Sequence, residues 1–266
     1  MKILVTGNKG YIGAHLAHAL VLKHGLANVF GFDESEKREW DCEWKNVKTT
    51  NFDVVIHCGA NSQSWYAKED IFWCNYQTTK EILEYCLENE NRRLIYFSSC
   101  AALNPFNWYG WSKRTSADLI LNMDTRNQCT VVYPYQIFGR EVGRPSGFSV
   151  PTRILRGEIS NAFDPWFRDY LYVADLVRMI DKIIDDRLTG EYDLGTGVGV
   201  TSKELFHLGG YENVDTVGPG SPDYPPNAPP VIIARKDMLV PGVEPTVCVK
   251  DYMAADTDQA MIFGIQ

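Results

Sequence analysis

The first half of the chain alternates between short apolar runs and longer segments in which apolar and polar residues are mixed. The short runs have the composition of strands buried on both faces, and they cover Lys2–Thr6, Asn28–Phe32, Asp53–His57, Arg93–Phe97 and Thr130–Tyr133. Apolar residues spaced three and four apart predict a helix over Asn75–Leu87, and two further helices are expected over Tyr11–Leu22 and Tyr109–Leu121. Strands that alternate with helices of this length predict an α/β fold with a doubly wound (Rossmann) parallel sheet.

The alternation becomes less regular after Gly139. A helix is expected over Val173–Ile184, and a strand with a glycine turn over Gly190–Gly197. The proline-rich stretch Gly218–Pro230 predicts a loop. The second half therefore differs in organisation from the first.

This difference predicts two domains. We expect a dinucleotide-binding domain over residues 1–140, to which Val173–Asp186 and Tyr192–Gly195 return. Most of residues 141–266 is expected to form a small C-terminal substrate-binding lobe.

Composition narrows the class of protein. The chain has 266 residues, of which 45% are hydrophobic, so it can bury a substantial core. It contains no apolar run long enough to span a bilayer, and its start lacks the features of a signal peptide. The seven cysteines are scattered with no Cys-x-x-Cys pair, which argues against a zinc site or a disulfide framework and favours the cytoplasm. The net charge of −8 argues against a nucleic-acid partner. We expect neither a metal nor a membrane partner.

A glycine-rich turn follows the first strand and opens the first helix, with the sequence Gly7-Asn8-Lys9-Gly10-Tyr11-Ile12-Gly13. Glycines in this position allow a tight turn, a close approach of backbone to a pyrophosphate, and close packing of helix against strand. The unpaired amides and the positive dipole end of the helix attract phosphate. The predicted cofactor-binding residues here are Gly7, Gly10, Tyr11, Ile12 and Gly13.

Asp33 ends the second strand, about 20 residues after the last glycine of the turn, at the distance typical of a carboxylate that binds the adenosine ribose. It would repel a ribose phosphate, which favours NAD as cofactor. Lys37 and Arg38 lie close enough in the sequence to leave NADP possible.

Tyr109 and Lys113 lie four residues apart and therefore on one helix face. A phenol with a pKa near 10 can act as a base near neutral pH only if a cation stabilises its anion, and Lys113 would provide that charge. A hydroxyl from Ser98-Ser99, after the Arg93–Phe97 strand, would bond the reacting oxygen. The thiol of Cys100 and the imidazole of His57 are the weaker candidates, and both types of side chain are more often structural when buried.

These residues together resemble the extended short-chain dehydrogenase/reductase family, whose members act on nucleotide sugars. The resemblance extends over nearly the whole chain, and its motifs are the glycine turn, His57-Cys58-Gly59-Ala60, Tyr109-x-x-x-Lys113, Arg168 through Asp175, and Asp193 through Gly197. Within the family the chain resembles in particular the heptose 6-epimerase branch. That branch has a lysine, a second acid/base, at the position of Phe167.

The resemblance implies roles for individual residues. It selects Ser99 as the catalytic serine beside Tyr109 and Lys113. Gly59, Ala60 and Asn75 would border the cofactor, with Pro134 beside the nicotinamide. The resemblance also implies three substrate contacts, with Arg168 on the diphosphate of the sugar nucleotide and two looser candidates, Gln136 and Arg144.

The resulting hypothesis is an epimerase that oxidises a sugar hydroxyl to a ketone and returns hydride to the other face. One alternative is a reductase or dehydrogenase that exchanges free NAD(P)H, and another is a cofactor-binding regulator with little turnover. A dehydratase is disfavoured because Cys100-Ala101-Ala102 offers no acidic residue.

A homodimer is the expected assembly. Asn75–Leu87 and Tyr109–Leu121 carry apolar residues around more than one helix face, so each helix is either sandwiched in the fold or meets another subunit. The resembling family pairs these two helices across a two-fold axis.

Overall fold

A computed structural model describes residues 1–33, 44–62, 69–140, 149–222 and 227–254. Its elements up to the fifth strand are β1 (Ile3–Thr6), α1 (Tyr11–His24), β2 (Val29–Phe32), α2 (Trp44–Thr49), β3 (Val54–His57), α3 (Glu69–Leu87), β4 (Arg93–Phe97), α4 (Trp108–Met123) and β5 (Cys129–Pro134). Those that follow are β6 (Gln136–Phe138), α5 (Val150–Leu155), β7 (Asn161–Phe163), β8 (Phe167–Tyr172), α6 (Val173–Asp185), β9 (Gly190–Leu194), β10 (Gly199–Thr201), α7 (Ser202–Leu208), β11 (Asp215–Val217), β12 (Val231–Ile232) and α8 (Val249–Ala254).

The main sheet has the strand order β2-β1-β3-β4-β5-β9. Every registered pair from β2 to β5 is parallel. β2 lies on one side of β1, and β3, β4 and β5 follow in order on the other side, so the strand order reverses at β1. This is the doubly wound α/β sheet predicted from the sequence. Its carboxyl-end crevice is where such sheets bind ligands.

Packing divides the described residues into two units. The first contains residues 1–133 and 181–192, and the second contains residues 134–140, 149–180 and 193–254, apart from the undescribed gaps. Because the division rests on packing alone, the predicted boundaries between a dinucleotide-binding domain and a substrate-binding lobe stay a prediction.

The core of the first unit explains why its strands are apolar throughout. Residues of β1, β3 and β4 pack with α3 and α4 in one cluster, in which Leu4, Val55, Leu94 and Ile82 have almost no exposed surface. Burying each such side chain contributes about 1.5–3 kcal/mol. The cluster also contains much of the apolar surface of α3 and α4 that suggested a second subunit.

The second unit has a smaller sheet around β8, which pairs antiparallel with β10 and parallel with β12 and β6. A separate parallel pair joins β7 and β11. The core of this second unit lies around Phe138, Ile154, Leu205 and Phe206. No described helix in either unit is long and apolar enough to cross a membrane.

Candidate active site

The glycine turn brings three backbone segments into contact. Gly7 has φ +69°, and a Cβ there would lie 2.6 Å from the Gly59 nitrogen, after β3. A Cβ on Gly13 would lie 2.2 Å from the Gly7 oxygen. Only glycine fits these two positions, so the start of α1 and the ends of β1 and β3 meet without intervening side chains. This bare backbone, with no side-chain cap on α1, is suited to a dinucleotide pyrophosphate.

The other predicted cofactor residues of this unit lie around the same edge. Gly10 precedes α1, and Tyr11 and Ile12 are half-buried in its first turn. Asp33 follows β2 directly, where Gly7 donates its amide hydrogen to the Phe32 oxygen at 2.7 Å. This bond continues the pairing of β1 with β2 beyond Thr6 and fixes where Asp33 leaves the sheet.

The Ser99 hydroxyl lies within hydrogen-bonding reach of the Tyr109 phenol and acts to lower its pKa. Ser99 follows β4, and its Oγ accepts the Ala101 amide hydrogen at 3.2 Å. Tyr109 lies in the first turn of α4, whose N-cap is Asn107; the Asn107 Oδ1 accepts the Gly110 amide hydrogen at 2.8 Å. Burial raises the pKa of Tyr109 to about 12, although the Ser99 hydroxyl acts in the opposite direction.

Lys113 is almost fully buried one helical turn beyond Tyr109. Its Nζ donates to the Phe97 carbonyl oxygen at 2.7 Å, which holds the ammonium at the carboxyl end of β4. Burial lowers the pKa of Lys113 to about 7. From the sequence, Lys113 was expected to lower the pKa of Tyr109. In the structure burial of the phenol raises that pKa, and the groups that act on it are Ser99 and Cys100.

His57 connects the glycine turn to α3 by hydrogen bonds that all run in one direction. The Gly59 amide donates to Thr6 Oγ1 at 3.3 Å, and Thr6 Oγ1 lies 2.7 Å from His57 Nδ1. His57 Nε2 lies 3.2 Å from Thr79 Oγ1, which donates its own hydrogen to the Asn75 carbonyl at 2.8 Å.

These contacts assign the tautomer of His57. Thr79 uses its hydrogen on Asn75, so Nε2 carries the ring hydrogen and Nδ1 accepts from Thr6. Burial, and secondly the nearby Lys113 cation, lower the pKa of His57 to about 3. The ring is therefore neutral and internally bonded, which agrees with a structural role and not with a base.

Asn75 bridges two segments. Its Oδ1 accepts the Asn61 amide hydrogen at 2.8 Å, and its Nδ2 donates to the Asn61 oxygen at 3.1 Å and to Ser112 Oγ at 3.1 Å. Gly59 is half-buried and Ala60 exposed in the segment that Asn75 holds. Asn75 thus ties the backbone after β3 to α4, next to Lys113.

Of the predicted substrate residues, Ser99 lies in the first unit and Gln136 and Arg168 in the second, which also contains the predicted cofactor residue Pro134. Pro134 ends β5 and Gln136 begins β6. Arg144 lies outside the described residues, as do Lys37 and Arg38.

Arg168 has backbone partners that the sequence argument did not foresee. Its guanidinium donates to the carbonyl oxygens of Pro230 at 2.7 Å, Pro229 at 2.8 Å and Phe167 at 3.2 Å. It also lies 4.4 Å from the centroid of the Trp166 ring. In this arrangement Arg168 holds the segment before β12 against β8.

Sequence reasoning missed two asparagines of the site. Asn107 carried a recognisable signal, because an asparagine directly before a helical segment is a preferred N-cap. Asn8 carried none beyond its place in the glycine turn, although only 6% of its surface is exposed.

Comparison with known proteins adds the family. The model of the NAD dependent epimerase/dehydratase family matches residues 3–195. UDP-glucose 4-epimerase from Thermus thermophilus, solved with NAD, is 20% identical with a TM-score of 0.77, and the match covers 98% of this chain and 99% of that one. ADP-L-glycero-D-manno-heptose-6-epimerase from Helicobacter pylori is 15% identical with a TM-score of 0.77, over 98% and 96% of the two chains. The Bordetella bronchiseptica enzyme WbmG, solved with NAD and UDP, is 20% identical with a TM-score of 0.77, over 100% and 96%. At such identities these structures show the fold, and they confirm the predicted architecture.

Proposed function

The chain belongs to the NAD dependent epimerase/dehydratase family, and we propose that within it the protein is a sugar-nucleotide epimerase. This family agrees with the resemblance found in the sequence, and its dependence on NAD agrees with the predicted cofactor. The observation that carries the proposal is the Tyr109 phenol with the Ser99 hydroxyl within its reach and the buried Lys113 one turn further along α4. Bound NAD supplies a reversible two-electron oxidation of a sugar carbon.

The three side chains divide the proton chemistry among them. Tyr109 takes the proton of the sugar hydroxyl as the carbon–oxygen bond becomes a ketone, while Ser99 donates a hydrogen bond to that oxygen. A protonated Lys113 would favour the phenolate, and so oppose the burial that raises the pKa of Tyr109. After the ketone has rotated, Tyr109 returns the same proton to the same oxygen.

Because Tyr109 both takes and returns the proton, the mechanism is compatible with phenylalanine at position 167. A mechanism that inverts the carbon through a ketone needs one acid/base, so the lysine expected in the heptose branch is dispensable for it. A dehydratase needs an acidic partner beside the hydroxyl residue, and Cys100-Ala101-Ala102 provides none. Epimerisation is therefore favoured over dehydration.

The proposed substrate is a sugar joined to a nucleoside diphosphate. The similar structure of WbmG is described with UDP, the nucleoside diphosphate part of such a ligand. Arg168 is the proposed contact for the diphosphate, because a guanidinium can bond two phosphate oxygens at once. Gln136 and Arg144 remain looser candidates for contact with the substrate.

Replacing Tyr109 with phenylalanine tests the proposal. Tyr109→Phe should keep the fold and NAD binding but lower turnover by roughly 10² or more, as expected for lost acid–base catalysis. Turnover is measured as redox-neutral isomerisation of sugar nucleotides, and bound nicotinamide by its ultraviolet absorbance. Tyr85→Phe, on α3 with its hydroxyl donating to the Thr50 carbonyl oxygen, is the matched control and should leave turnover unchanged. Near-normal turnover of Tyr109→Phe would remove Tyr109 from the mechanism.

We also propose a homodimer formed through α3 and α4. An aromatic surface, made of Phe72, Trp73, Tyr76, Trp108 and Trp111, spans both helices, and the side chains of Trp73 and Trp111 are about half exposed. Exposed aromatic residues grouped in this way are typical of interfaces. A two-fold interface would bring each copy of this surface against its counterpart.

Light scattering during gel filtration tests the assembly. Wild type should have twice the mass of a 30.2 kDa chain, and Trp111→Glu should be a monomer. Leu22→Glu, at an exposed position of α1, is the control and should stay dimeric. A fully active wild-type monomer at micromolar concentration would contradict this proposal.

A further inference from the structure

Asn8 has a buried oxygen that lacks a donor. Its side chain lies in the glycine turn, and only 6% of the residue is exposed. Within the described residues its Oδ1 accepts no hydrogen bond. A buried amide oxygen left in this way costs about 1–3 kcal/mol, and such atoms in folded proteins generally find a partner. A donor from a ligand at this turn would satisfy it.

Gly31 makes the space that the Asn8 side chain occupies. A Cβ on Gly31 would lie 2.1 Å from Asn8 Nδ2 and 3.0 Å from Oδ1. The amide group therefore lies directly against the backbone of β2. This contact holds Asn8 at the edge where β1 and β2 end, so the position of its oxygen is set by two strands.

Asp33 shares that face of the sheet. Side chains alternate between faces along a strand, so Asp33 points to the same side as position 31. The alternation extends this far because Gly7 still pairs with Phe32. The Asn8 amide oxygen and the Asp33 carboxylate, both hydrogen-bond acceptors, therefore belong to the same face at this edge.

Two neighbouring acceptors match a pair of neighbouring hydroxyl donors. Resting on the proposed function, we propose that Asn8 Oδ1 accepts the hydrogen of one hydroxyl of the adenosine ribose of NAD, beside Asp33. Asn8 is then a cofactor-binding residue in its own right, and Gly31 positions it. The backbone of the turn would hold the pyrophosphate, and the side chains of Asn8 and Asp33 would bind the adenosine ribose.

The test compares binding of NAD with binding of its 2′-deoxyadenosine and 3′-deoxyadenosine analogues by titration calorimetry. Asn8→Ala should weaken NAD binding about five- to tenfold, the loss of one neutral hydrogen bond. On the analogue that lacks the contacted hydroxyl the same substitution should have no effect, while on the other analogue the penalty should persist. Asn122→Ala, at an exposed asparagine of α4, should change none of the three affinities.

A second variant guards against a defect in folding. Gly31→Ala displaces the Asn8 amide without removing it, and should show the same dependence on the ribose hydroxyl. Thermal midpoints without cofactor monitor the fold of each variant. A penalty of equal size on NAD and on both analogues would make Asn8 merely structural and overturn the inference, as would unchanged NAD affinity. If wild type binds NAD and shows this hydroxyl dependence but epimerises no sugar nucleotide, the proposed function fails and the inference stands. If wild type binds no NAD, both fail.

Discussion

Replacing Lys113 with methionine should make the protein more stable below pH 7. The Lys113 ammonium is buried at the end of β4 with the Phe97 carbonyl as its hydrogen-bond partner. Burial lowers its pKa from the ordinary 10.5 to about 7. Methionine has a similar shape and helix propensity and carries no charge, so it removes the cost of desolvation.

The size of the effect follows from the pKa. At about 1.4 kcal/mol for each factor of ten, the displacement from 10.5 to about 7 corresponds to about 5 kcal/mol against the charged ammonium in the folded state. Leaving the Phe97 carbonyl without this donor costs up to about 3 kcal/mol. The net gain for Lys113→Met is about 2 kcal/mol at pH 6.

The gain should depend on pH with a definite sign. The pKa of this base is lower in the folded than in the unfolded protein, so its destabilising effect is complete below pH 7. Between about pH 7 and 10.5 the unfolded wild type binds more protons than the folded one, and wild-type stability rises with pH. The advantage of Lys113→Met should therefore be gone at pH 9.

Urea unfolding at pH 6 and at pH 9, followed by tryptophan fluorescence, measures the stability gain at pH 6 and its loss at pH 9. Lys80→Met is the matched control, because Lys80 is partly exposed on α3 and lies 3.6 Å from Glu84. Such a surface pair contributes less than about 1 kcal/mol, with little change between these pH values. A Lys113→Met variant that is less stable than wild type at pH 6, or whose difference is the same at both pH values, would refute the reasoning.

Three further substitutions have expected outcomes. Gly13→Ala places a Cβ 2.2 Å from the Gly7 oxygen and should weaken NAD binding at least about tenfold by forcing strand and helix apart; calorimetry that finds wild-type affinity would contradict this. His57→Leu leaves hydroxyl partners unbonded and should lower the free energy of unfolding by about 2–4 kcal/mol. Because the pKa of His57 is lowered to about 3, wild-type stability should fall as pH drops from 6.5 towards 3, and the variant should lose that part of the acid sensitivity in urea unfolding. Asp169→Ala removes the acceptor of the Thr196 amide and hydroxyl and should lower the thermal midpoint by several degrees in a melting scan; an unchanged midpoint would count against that role.

The strands and the cofactor turn could be predicted because their signals are local. An apolar run bounded by polar residues determines β3 at Val54–His57, and the glycine spacing determines the turn before α1. The start of α3 was predicted at Asn75, yet the helix begins at Glu69. The missing part contains Phe72 and Trp73, whose ring contacts with each other and across to α4 depend on the folded structure.

The properties of the site likewise divide into those that the local sequence determines and those that depend on the folded structure. Spacing places Tyr109 and Lys113 on one helix face, but their pKa values depend on burial, which the sequence does not reveal. The partners of Arg168 come from Pro229 and Pro230, about 60 residues further along the chain. No local pattern could identify them.

The hydrogen bonds through His57 also make the Gly59 amide a probe of local opening at the glycine turn. The Gly59 amide donates to the Thr6 hydroxyl and not to a strand carbonyl, so it can exchange with deuterium without opening of the sheet, and its protection depends on that one bond. That bond requires Thr6 to keep its orientation, which His57 Nδ1 holds at 2.7 Å. Exchange at this single position therefore measures local opening of the cofactor-facing backbone, separately from global unfolding.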